Sequence, residues 1–65
     1  MDNERSDQIE QLLVAVAGIM EDASAALLDA GGESIAGRIS LAREAGARIT
    51  VLSQAAAALF ERPEP

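Results

Sequence analysis

The sequence predicts an all-α fold, an antiparallel two-helix hairpin that dimerises into a four-helix bundle. Three observations predict it. Apolar residues recur at alternating steps of three and four through two long segments, the period of a helix with one buried stripe. A Gly-Gly pair separates the segments. The apolar fraction is 49% with Phe60 the sole aromatic, so apolar surface comes from Ala, Leu, Ile and Val, as in helix bundles.

Residues 1 to 6 are expected to be a flexible acidic arm. A first helix is then expected over about 7–30, opened by Asp7 with Glu10 three residues on, the spacing of a capping box. Its stripe is Ile9, Leu12, Val16, Ile19, Ala23, Ala26 and Ala30, thickened on one side by Leu13, Met20 and Leu27. Gly31 and Gly32 are expected to form a turn over 31–33, because glycine can leave the helical region where other residues resist it. Glu33 and Ser34 suit the opening of a second helix over about 34–61. A connection this short makes the neighbours antiparallel.

The second stripe is read as Ile35, Ile39, Ala42, Gly46, Ile49, Ser53, Ala56 and Phe60, flanked by Ala45, Leu52 and Leu59. Its middle is small, and Ala42, Ala45 and Gly46 would admit a neighbouring backbone, offsetting the roughly 1 kcal/mol cost of an interior glycine. Pro63 disfavours helix at the residue before it, so the hairpin spans 7–62 and residues 63–65 are a tail.

A core this small usually needs a staple. With 65 residues, no Cys and no His, neither a disulfide nor a structural zinc site is available, which leaves association as the remaining route. The run from Leu12 to Met20 is apolar almost all round the helix and calls for contacts on more than one side. The expected oligomer interface is Ile9, Leu12, Leu13, Val16, Ile19, Met20 and Leu27 from the first helix. The second adds Ile35, Ile39, Ala42, Gly46, Ile49, Leu52, Ala56, Leu59 and Phe60. The expected partners are a second copy and, through the assembly, another protein.

The net charge of −6 is uneven. Residues 1 to 32 hold all six units of the excess, with Arg5 the sole cation there, whereas the remainder balances four Glu against four Arg. Such a surface opposes general binding to nucleic-acid phosphates or anionic lipid. The start MDNERSDQIE is not that of a signal peptide, and the apolar run of 9 residues is too short for a span, so a cytoplasmic location is the default expectation.

Catalytic and ligand chemistry finds little to use. Without His, Cys, Lys or Tyr, a general base would have to be Asp or Glu, and a Ser or Thr nucleophile would lack a visible activator. Glu21-Asp22, Asp29 and Glu33 lack both the ExxH pattern of di-metal bundles and calcium-loop spacing. The Gly-Gly-Glu-Ser turn has no phosphate-loop Lys, and Glu33 would repel an anion there. No catalytic residue, cofactor or metal is therefore expected, and the chain is not expected to be an enzyme.

Residues Leu41 to Gln54, LAREAGARITVLSQ, resemble the helix-turn-helix segment of bacterial regulators: Leu41, Ala42 and Ala45 before the turn, Gly46 at it, Leu52 after it. That resemblance implies a second helix in the DNA major groove. It covers 14 of 65 residues, and Ala47-Arg48 replaces the usual apolar-then-Ser start. Because the stripe passes Gly46 without a change of phase, one unbroken helix is expected instead.

In outline the hairpin is similar to small plasmid regulators of the Rop type, which also dimerise into four-helix bundles. Their RNA-binding face uses cationic and aromatic side chains of the first helix. Here that helix has no cation after Arg5, so the activity does not carry over. Arg38, Arg43 and Arg48 spread around the second helix and are expected to pair with acids, including Glu44 four residues before Arg48. The alternative functions are an acidic inhibitor or decoy, presenting Glu10, Glu21, Asp22 and Asp29 to a basic groove of a nucleic-acid-binding protein, and, behind it, a helix-turn-helix DNA-binding regulator through residues 41–54.

Overall fold

A computed structural model describes residues 3–29 and 34–63. The protein is all-helical within them: α1 (Asn3–Leu28) and α2 (Ile35–Glu61) pack against each other as a hairpin. The Cα atoms span 52 × 15 × 9 Å. Their radius of gyration is 15.2 Å, where a compact chain of this length has about 11 Å.

α1 begins at Asn3 rather than about 7, so most of the expected arm is helical. Arg5 supplies the reason. Its guanidinium donates to the carbonyl of Arg62 at 2.7 Å and reaches the Leu59 carbonyl at 3.4 Å, tying the first turn of α1 to the end of α2. Asp7 and Glu10 accordingly lie inside the helix on its exposed side and do not cap it. The other end of α1 is Leu28, where the Asp29 N–H donates to the Ala26 carbonyl three residues back at 3.4 Å. The expected turn, Gly31 and Gly32, lies outside the described residues, as does Ala30.

α2 starts where its sequence suggests. Ser34 is extended at φ −64°, ψ 167°, and its hydroxyl accepts from the Gly37 N–H at 3.1 Å, an N-cap that satisfies one free donor. The helix runs unbroken through Gly46 to Glu61, so residues 41–54 are a single helical segment without a turn. Arg62 is extended at φ −63°, ψ 130°, as its position before Pro63 requires.

The contact stripe of α1 is the expected one. Ile9, Leu12, Val16, Ile19, Ala23 and Ala26 are half-buried, and Arg5 extends the same three-four series by one step. On α2 the stripe is rotated from its expected position. The inward residues are Arg38, Leu41, Ala45, Ile49, Leu52, Ala56 and Leu59, while Ile35, Ile39, Ala42, Gly46, Ser53 and Phe60 are exposed. Two interleaved apolar stripes lie about one residue apart on this helix, and composition does not rank them. What ranks them is the fit to α1. The register that brings Arg5 to Leu59 and Arg38 to Leu27 sets Ile9 level with Ala56, Leu12 with Leu52, Val16 with Ile49, Ile19 with Ala45 and Ala23 with Leu41. Large side chains thus meet small ones over much of the seam, as close helix packing prefers.

Candidate functional site

Two helices side by side bury very little. Among the described residues Ala56 alone is buried, at 6% exposure, and no large side chain is fully enclosed. The chain exposes 5063 Å², whereas a compact protein of this mass exposes about 3,900 Å². The excess of roughly 1,100 Å² on that scale is surface a globular chain would have taken out of water.

That surface is not uniform. On one broad side of the hairpin an apolar groove runs between the helices, lined by Met20, Ala23, Ser24, Leu27 and Leu28 of α1 and Ala42, Ala45, Gly46 and Ile49 of α2. It continues past Ala42 to Ile35 and Ile39. On α1 the residues of this side, Leu13, Met20 and Leu27, follow at seven-residue steps; on α2, Ala42, Gly46, Ser53 and Phe60 continue it. Leu13, Met20, Ile35, Ile39 and Phe60 are all more than half exposed. The opposite groove has a different chemistry, with Asp22 from α1 and Glu44 and Arg48 from α2 at its edges.

The expected interface residues therefore divide into two sets. Ile9, Leu12, Val16, Ile19, Ile49, Leu52, Ala56 and Leu59 are used between the two helices of one chain. Leu13, Met20, Ile35, Ile39, Ala42, Gly46 and Phe60 lie on the unpartnered side, with half-buried Leu27 between the sets. The close approach expected at Gly46 is absent within the chain: a Cβ built there meets nothing within 4 Å.

Arginines at the two ends of the seam are a feature that reading for ion pairs missed. Arg38, in the first turn of α2, donates from Nε and a terminal guanidinium nitrogen to the Leu27 carbonyl, the Nε bond being 3.1 Å. Arg5 does the same for the end of α2. Each helix thus has its carbonyl-rich C-terminus, the negative end of its dipole, met by a cation from the start of the other. The sequence carried a signal for Arg5, which continues the stripe of α1 back by one step, whereas Arg38 lies on the stripe of α2 that turns inward only through packing.

By length and composition α1 could cross a membrane, with an 18-residue window of mean hydropathy 1.5, which the earlier limit of a 9-residue run did not anticipate. A span over that window has to contain Glu21 and Asp22, each costing about 2.5–3.5 kcal/mol if placed near the centre of a bilayer. Among the described residues no group of three acids, His or Cys is placed to hold a metal ion. No protein-family model, no curated protein and no solved structure matches the chain.

Proposed function

We propose that the chain is a noncatalytic interaction module, a helical hairpin that completes its core by associating with another copy and that acts on a further protein through the assembly. The supporting observation is the near-absence of an interior, with Ala56 alone buried among the described residues of a 65-residue chain. Stability at this size is a small difference between large terms, and half-wet stripes supply only part of the favourable one. Two hairpins joined face to face make a four-helix bundle, the simplest closed arrangement.

Sedimentation equilibrium over about 1 to 100 μM, combined with thermal melts at each concentration, tests this reading. The expected result is twice the chain mass and a melting temperature that rises with concentration, as mass action requires. A monomer with a sharp, concentration-independent melt would overturn it.

A further inference from the structure

The two sides of the hairpin differ in what they could meet. Each copy carries a net charge of −6, so association is opposed wherever acids of two copies come together. The groove edged by Asp22, Glu44 and Arg48 would bring such groups into an interface. The groove from Met20 to Ile39 holds no carboxylate, and Arg38 at its end has its guanidinium engaged by the Leu27 carbonyl. Its size also fits one occupant. The side that carries this groove, with Leu13 and Phe60 further along it, is about 40 Å long over the 26- and 27-residue helices and about 20 Å wide, so it offers roughly 800 Å² per copy, and two such faces give the roughly 1,600 Å² of a standard interface.

We propose that this apolar side is the surface on which a second copy of the chain seats, with the two copies' backbones closest at Gly46. The proposal rests on the self-association argued above and adds the face and the contact point. Gly46 is the position that separates the chain's own needs from those of its partner. An interior helical glycine costs about 1 kcal/mol relative to alanine, and here no neighbour within the chain occupies the space of a side chain. A second helix packed over Ala42 and Gly46 would use that missing side chain to come close. Gly18 has the same open surroundings but lies one turn before Asp22, away from the apolar groove, and serves as the control.

Gly46→Ala, Gly46→Leu and Gly18→Leu are compared with the unchanged chain by sedimentation and helicity, with co-sedimentation on neutral phosphatidylcholine vesicles as a further arm. Gly46→Leu is expected to weaken the dimer at least tenfold. Gly46→Ala should weaken it several-fold while raising the helicity of the dilute chain, so the loss cannot be ascribed to misfolding. Gly18→Leu should dimerise as before. A dimer unaffected by both Gly46 changes, or one broken by Gly18→Leu, overturns the choice of face and leaves self-association standing. Binding to the vesicles in place of dimerisation overturns both, as does a monomer at every concentration.

Discussion

Arg38 and Ser34 show how much of this hairpin depends on single polar groups at helix ends. Arg38→Ala removes both bonds to the Leu27 carbonyl and a cation from the negative end of α1; it is expected to cost about 1–2 kcal/mol, read from urea denaturation. Arg38→Met, which keeps much of the stem, should lose nearly as much, because it is the donors that matter. Ser34→Ala removes the acceptor for the Gly37 N–H and is expected to cost about 1 kcal/mol, whereas Ser34→Gly should cost only a few tenths of that. Ser34 was legible from its neighbours in the chain. Arg38 was not, because its acceptor lies 11 residues away across the turn and carries no charge to announce it.

The two helices differ in how well a stripe could be read. On α1 one series, Ile9 to Ala26, stands out from its flanks, and the packed stripe follows it. On α2 Ile35, Ile39 and Phe60 compete with Leu41, Leu52 and Leu59, and the balance turns on which series meets the residues of α1 at the right level. Leu52→Ala is accordingly expected to destabilise by about 2 kcal/mol, at the low end for buried leucines since the site is half-buried. Val51→Ala, at a position 64% exposed, should change stability by less than about 0.5 kcal/mol, since alanine is also the better helix former. Equal effects in denaturant melts at Val51 and Leu52 would contradict the observed rotation of α2.

The proposed association carries its own electrostatic signature. With −6 on each copy, raising salt from about 50 to 500 mM shortens the Debye length from roughly 14 Å to roughly 4 Å and so screens repulsion between copies, and the dimer is expected to tighten. Sedimentation at the two ionic strengths checks the sign. The acidic-decoy alternative requires the reverse for its complex, because attraction to a basic partner weakens with salt.

The helical class, the approximate extents of the helices and the stripe of α1 follow from residue order alone, because a period of 3.6 and local caps are properties of neighbours along one chain. Which stripe of α2 turns inward, the anchoring of Arg5 that extends α1 back to Asn3, and the separation of an apolar side from a charged one were decided only by tertiary packing. Each depends on the level at which two distant segments meet, and that level is set by how large and small side chains fit across the seam.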